Sequence, residues 1–147
     1  MGAIMIRKLI PQDIRAVMDI WISTNITAHD FIAEEYWEKN YDIVEKEYLP
    51  AADTYVYEEE QEIKGFISIL NDLFVGGLFV DENSQGKGIG KALLNYVKEQ
   101  YNELELCAYA DNYKAVNFYK HCGFIVTEQQ PNEDSGYLEY NMKWKRV

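Results

Sequence analysis

The chain has 147 residues, 48% of them hydrophobic and 27% charged, with 25 acidic against 14 basic side chains and a formal net charge of −11. That length suits one domain burying about 68–70% of its unfolded surface, and the balance of residues excludes a disordered chain. So acidic a surface disfavours nonspecific nucleic-acid binding, which rests on Lys and Arg contacts to phosphates, and suits a cationic partner such as an amine.

Taken in chain order, residues 3–10 read as a strand closed by Pro11, which begins a helix with Asp13 near its positive end. The apolar N-terminal patch is too short for a signal peptide, and Ile6 replaces the Ser or Thr of a myristoylation site. Ile14, Val17, Met18, Trp21 and Ile22 share one helical face, and the polar stretch Ser23 to Asp30 is expected to end that helix. A second helix carries Trp37, Tyr41, Val44 and Tyr48 on one stripe, with Pro50 as its stop. Strands follow at Thr54 to Tyr57, Ile63 to Leu70 and Leu73 to Val80, joined by turns at Glu58 to Glu62 and at Asn71-Asp72. After a glycine loop, Ile89, Ala92, Leu93 and Val97 mark a helix to about Tyr101, and Leu104 to Tyr109 is a strand. Asp111 or Asn112 caps a last helix whose face is Ala115, Phe118, Tyr119 and Cys122, with Gly123 as its C′ residue. Phe124 to Thr127 and Tyr137 to Trp144 are the final strands, separated by a polar loop.

The order β-α-α-β-β-β-α-β-α-β-β implies one mixed sheet with helices on both faces, an α/β fold spanning residues 1–147 as a single domain. No run of about 18 apolar residues exists to span a membrane. Cys107 and Cys122 lack C-x-x-C spacing and partner histidines, so no metal site is expected and reduced thiols in a cytoplasmic protein are.

The stretch Gln85-Gly86-Lys87-Gly88-Ile89-Gly90-Lys91, between a strand and a helix, is built to hold phosphate. Glycines let backbone N–H groups approach an anion, and the helix N-terminus adds unpaired donors and a positive dipole end. Walker A spacing fails in both registers. Gln85 or Asp81 stands where the first glycine belongs, and Ala92 or Gly88 where the hydroxyl belongs. The dinucleotide spacing fails as well, with Lys91 or Leu93 at its third glycine.

What the loop does match is Gln/Arg-x-x-Gly-x-Gly/Ala, through Gln85, Gly88 and Gly90. Downstream stands Asn112-x-x-Ala115-x-x-Phe118-Tyr119-x-x-x-Gly123-Phe124, and upstream Gly77-Leu78-Phe79-Val80-Asp81. With these three segments and the element order, the chain resembles the GCN5-related N-acetyltransferases, closest to small single-domain bacterial members. The resemblance implies a sheet of about seven strands with four helices on its two faces. It implies acetyl-CoA as co-substrate, gripped at the pyrophosphate by Gln85 to Lys91 and along the pantetheine by Leu78, Phe79 and Val80. A backbone N–H at Leu78 or Phe79 would polarise the thioester carbonyl. Ala115, Phe118 and Asn112 would lie along the cofactor, and Tyr119 would protonate the leaving thiolate. His29 or Asp30, in the segment covering the substrate side, is a candidate base or acceptor contact, and Tyr36, Trp37 and Tyr41 are candidates to line an acceptor pocket.

The implied reaction is direct attack of a primary amine on the thioester. The acceptor is a protein lysine, a protein N-terminus or a small amine, with no metal, no nucleic acid and no membrane, in a monomer or homodimer. The alternative is a module that binds acetyl-CoA as a sensor without turnover.

Overall fold

The computed structural model describes residues 3–147; Met1 and Gly2, which open the apolar N-terminal patch, lie outside the described residues. The strands are β1 (Ile4–Lys8), β2 (Asp53–Glu59), β3 (Glu62–Leu70), β4 (Phe74–Val80), β5 (Glu103–Tyr109), β6 (Ile125–Pro131) and β7 (Leu138–Lys145). They form one sheet in the order β1-β2-β3-β4-β5-β7-β6, antiparallel throughout except where β4 meets β5 in parallel. Two tight turns set the first register. Glu60-Gln61 and Asn71-Asp72 each place both central residues at positive φ, the twist that two-residue hairpins require.

The helices are α1 (Ile14–Ala28), α2 (Glu34–Ile43), α3 (Leu49–Ala51), α4 (Ile89–Lys98) and α5 (Tyr113–His121). A π-helical segment, Val44–Tyr48, joins α2 to α3, so these run on as one rod and the helical bodies number four among the described residues. Val17, Met18 and Trp21 of α1 and Trp37 of α2 pack on Val56 and Phe66 on one face of the sheet. Leu93, Leu94 and Val97 of α4 and Val116 and Tyr119 of α5 pack on Ile67, Leu104 and Leu106 on the other.

Three expectations need correction. Ser23 to Asp30 does not break α1, which continues to Ala28. Thr24 donates to the Ile20 carbonyl at 2.6 Å and Asn25 to the Trp21 carbonyl at 2.8 Å, so these polar groups are satisfied inside the helix that they were expected to end. Pro50 is carried inside the helical rod, just after the wider π-helical segment, and the rod ends one residue later at Ala51. Finally, β6 begins at Ile125 and runs to Pro131, while Phe124 is buried in the core.

Arg7 of β1 ties the sheet edge to the start of α1. Its guanidinium donates to both Asp13 oxygens, at 2.7 and 3.0 Å, and to Glu58 of β2 at 2.6 Å. Asp13, only 6% exposed, also accepts from the Ile10 N–H at 2.9 Å. Burial pushes its pKa up, but the Arg7 and Ile10 hydrogen bonds outweigh that and hold it below the ordinary carboxylate value. A carboxylate with a depressed folded pKa stabilises above its unfolded pKa, and that contribution is lost as the pH falls through the folded value. Asp13→Asn is therefore expected to lose about 3 kcal/mol at pH 7. In denaturant titrations across pH, the gap between variant and wild type should close as the pH falls below the ordinary carboxylate value.

Candidate active site

β4 and β5 touch at a single ladder position, Phe74 beside Glu105, supported by a 3.0 Å bond from the Glu105 N–H to the Leu73 carbonyl. Beyond it the strands diverge, and β4 keeps hydrogen-bonded company only on its β3 side among the described residues. The Asp81 N–H donates to the Lys64 carbonyl at 2.8 Å, with Val80 opposite Gly65. In an antiparallel ladder this makes Phe79 and Phe66 the pair that exchanges both bonds, and turns the backbone groups of Leu78 and Val80 to the gap. Gln85 Nε2 reaches the Val80 carbonyl from that side, at 3.0 Å. Of the two donors named from sequence, the Leu78 N–H faces the gap and the Phe79 N–H is spent on β3.

The glycine loop stands at the mouth of this gap. Gly86 and Gly88 hold φ of 81° and 84°, and a Cβ on either would project into open space rather than into protein. Gly88 is the N-cap of α4, and the Ala92 N–H is the one that returns to its carbonyl, at 3.0 Å. The N–H groups of Ile89, Gly90 and Lys91 are thus left without intrahelical partners, as a bound pyrophosphate needs. Gly90 brings α4 close to α5, since a Cβ there would stand 3.5 Å from Phe118 Cζ.

A cavity of about 820 Å³ joins gap and loop. Leu78, Phe79 and Val80 form one wall, Gln85, Gly86, Gly88, Ile89, Gly90 and Lys91 the loop end, and Asn112, Ala115 and Phe118 the α5 side. Lys87 does not line it. The second cation at the loop is instead Lys114, whose Nζ donates to Gln85 Oε1 at 3.1 Å. Tyr119 does not line it either. It lies next to Phe118 in the core, with its ring 5.3 Å from Phe118 and 5.6 Å from Phe124. Burial first, and Cys122 second, raise its pKa, which keeps the phenol protonated.

The sequence pattern of the acetyltransferase (GNAT) domain matches residues 23–146. The chain belongs to the GNAT acetyltransferase family. It is 32% identical over 143 residues to peptidyl-lysine N-acetyltransferase YiaC of Escherichia coli K12, covering 97% of this chain and 98% of that protein. It is 29% identical over 133 residues to peptidyl-lysine N-acetyltransferase YjaB of the same strain, covering 90% of each chain. The solution structure of apo YjaB from Escherichia coli superposes with a TM-score of 0.85 over 99% of both chains. The PaiA N-acetyltransferase of Thermoplasma acidophilum, crystallised with coenzyme A, shares the fold at a TM-score of 0.80 and 21% identity, over 97% of this chain and 99% of that one. The fold is thus that of the GNAT acyltransferases, and this chain is an N-acetyltransferase acting on an amine.

Within this GNAT site His29 is buried, at 8% exposure, and lines the cavity, whereas Asp30 is exposed and does not. The Asn112 Oδ1 accepts from the Ala115 N–H at 3.2 Å and caps α5, so its Nδ2 is the donor to His29 Nε2, at 3.1 Å. That fixes the neutral ring with its proton on Nδ1, a nitrogen without a hydrogen-bond partner. Burial lowers the His29 pKa, opposed in part by the Asn25 carbonyl. Trp37 stacks on the ring at 5.2 Å. His29 therefore props the Asn112 cap, and its basic lone pair is already engaged. Tyr41 packs on Trp21 at 6.3 Å, as a core aromatic, while the Tyr36 hydroxyl faces Asp134 and Tyr109.

The sequence reading missed Thr24, Thr27 and Ala28, which line the cavity because α1 runs a turn and a half further than expected. Thr27 donates to Glu82 at 2.9 Å, linking α1 to the segment before the loop. Lys114 was findable, since it follows the Asn112 cap by two residues and so stands at the start of α5. In an ¹⁵N-detected imidazole titration, the His29 ring is expected to carry its proton on Nδ1 at pH 7 and to titrate below its ordinary value of 6.5. Protonation near 6.5 or an Nε2-bound proton would contradict the Asn112 contact.

Proposed function

We propose that this protein, with residues 1–147 acting as one domain, transfers the acetyl group of acetyl-CoA to a lysine side chain of another protein. The observation that carries the reading is the Leu78 N–H. It faces a gap flanked at one end by a phosphate-binding loop and along its side by the helix that bears Tyr119. In this reading the loop from Gln85 to Lys91 holds the pyrophosphate, with Lys91 and Lys114 adding charge. Leu78 and Val80 bind the pantetheine arm through their backbone groups. The Leu78 N–H polarises the thioester carbonyl, a donor aimed at developing negative charge. The amine nitrogen forms its bond to the carbonyl carbon, the carbon–sulfur bond breaks, and the thiolate leaves with the bonding pair. Tyr119, kept protonated by burial, supplies the proton to sulfur.

Protein lysine is favoured because YiaC and YjaB are named as peptidyl-lysine N-acetyltransferases and because an aromatic cluster beside His29 suits a cation. Phe31 and Tyr109 pack on His29, which lines the cavity, and Tyr137 packs on Phe31, with ring centroids 5.1 to 5.8 Å apart. Asp134 stands against Tyr36, and Ser135 accepts from the Tyr109 hydroxyl at 2.9 Å. Aromatic faces beside a carboxylate favour an ammonium group until it deprotonates for attack. Cys107, an exposed residue whose thiol donates to Asn141 Oδ1 at 2.9 Å, has its pKa pushed up to about 11 by partial desolvation with Glu139 and Glu105 adding, and burial raises Cys122 too. Neither suits a covalent acetyl intermediate, which needs a thiolate. The reading places the protein in the cytoplasm as a monomer or homodimer, without a metal.

Free-thiol release from acetyl-CoA, measured over peptide lysines, peptide N-termini, polyamines and amino acids, tests it. Lysine peptides are expected to give the highest turnover. Tyr119→Phe should lower kcat about 100-fold while leaving coenzyme A affinity unchanged. Wild-type binding of acetyl-CoA without turnover on any acceptor would favour the sensor reading instead.

A further inference from the structure

A second cavity, of about 310 Å³, lies on the α1–α2 face of the sheet. Its floor is Phe66 and Ser68 of β3 with Phe74, Gly76, Gly77 and Phe79 of β4, and its roof is drawn from α1 and the π-helical segment. The lining is almost wholly apolar. The Ser68 hydroxyl is already paired with Thr54 at 2.8 Å, so no charged group in the lining could receive an ammonium.

The position of this cavity is set by the proposed thioester site. Gly77 and Phe79 flank Leu78 in sequence, both line the second cavity, and Phe79 lines the first cavity as well. A Cβ at Gly77 would stand 2.7 Å from Phe79 Cε2, so only glycine there lets the Phe79 ring lie back along β4. The ladder with β3 skips Gly76, pairing Ser68 with Gly77 and Ile69 with Val75, which bulges β4 beside the cavity.

We propose that this cavity takes the hydrocarbon chain of acyl groups longer than acetyl, the chain passing beside Phe79, which lines both cavities. The inference rests on the reading of Leu78 as the thioester donor. An apolar space that begins one residue from an acyl carbonyl is filled by what that carbonyl carries. A volume of this size falls at the lower end of ordinary ligand pockets. The chemistry is that of acetyl transfer: the nitrogen–carbon bond forms, the carbon–sulfur bond breaks, and the thiolate takes up a proton.

Calorimetric titration of the full chain with coenzyme A, acetyl-CoA and hexanoyl-CoA, without any acceptor, tests this. Each buried methylene tightens binding by up to about fourfold, so hexanoyl-CoA is expected to bind at least about tenfold tighter than acetyl-CoA. Ala52→Phe and Val44→Phe fill the cavity from two different walls. Each should abolish that gain and leave acetyl-CoA affinity as it was. Equal wild-type affinity for acetyl-CoA and hexanoyl-CoA would overturn the proposal, as would a gain that survives both filling variants. Failure of all three ligands to bind the wild type would instead remove the acetyl-CoA reading beneath it.

Discussion

One parallel contact holds the two halves of this sheet together, and everything functional follows from how little of it there is. β1 to β4 form one antiparallel meander, and β5, β7 and β6 form another unit in which β5 pairs along its whole length with β7. Between them stands Phe74 beside Glu105. An antiparallel neighbour would have consumed the outward backbone groups of β4. The divergence leaves the outward groups of Leu78 and the Val80 N–H available, with the Val80 carbonyl accepting from Gln85, at a cost of about 1–3 kcal/mol for each group that stays buried and unpaired. Water or a ligand amide must therefore fill the gap. The helices keep it open, since Leu93 and Val97 of α4 and Val116 of α5 pack into a core that reaches both halves.

Structural and binding roles are carried by the same side chains along this cleft. Gln85 links the β4 end through the Val80 carbonyl and also accepts from Lys114, so the loop is tied to α5 as well as to β4. Asn112 caps α5 with its oxygen and grips His29 with its nitrogen, so the end of α1 and the start of α5 meet at one amide. Lys91 and Lys114 bring positive charge into the cavity lining against a background of −11, alongside the acidic Glu82 and Asp111.

The sequence showed the phosphate end clearly because its signal is local. Glycines at φ above 80° and a helix starting at Gly88 follow from residue type and spacing alone. The seven strands and their turns were legible for the same reason. The acceptor end was not, because it depends on contacts between residues far apart. His29 meets Asn112 across 83 positions, and Tyr109 meets Ser135 across 26. The extension of α1 was hidden by a competing rule. Thr24 and Asn25 are residues that usually end helices, and here they satisfy themselves against the preceding turn. The free donor at Leu78 rather than Phe79 was beyond sequence too, since it rests on the phase of the ladder with β3.

That phase also bears on the chemistry. Leu78 and Val80 turn their backbone groups to the gap, while the Phe79 side chain points to the α1–α2 face. In the proposed reaction the thioester is held by backbone, whose geometry substitution cannot remove, and the space around the acyl group is set by side chains. Tyr119 lies on α5 in the core beside Phe118, and burial keeps its phenol protonated. A cysteine thiolate is disfavoured as a reactive group: partial desolvation and the neighbouring Glu139 and Glu105 raise Cys107, and burial raises Cys122. Neither cysteine lines the cavity and both are held as thiols, so direct attack by the incoming amine is the reaction that the proposed site favours.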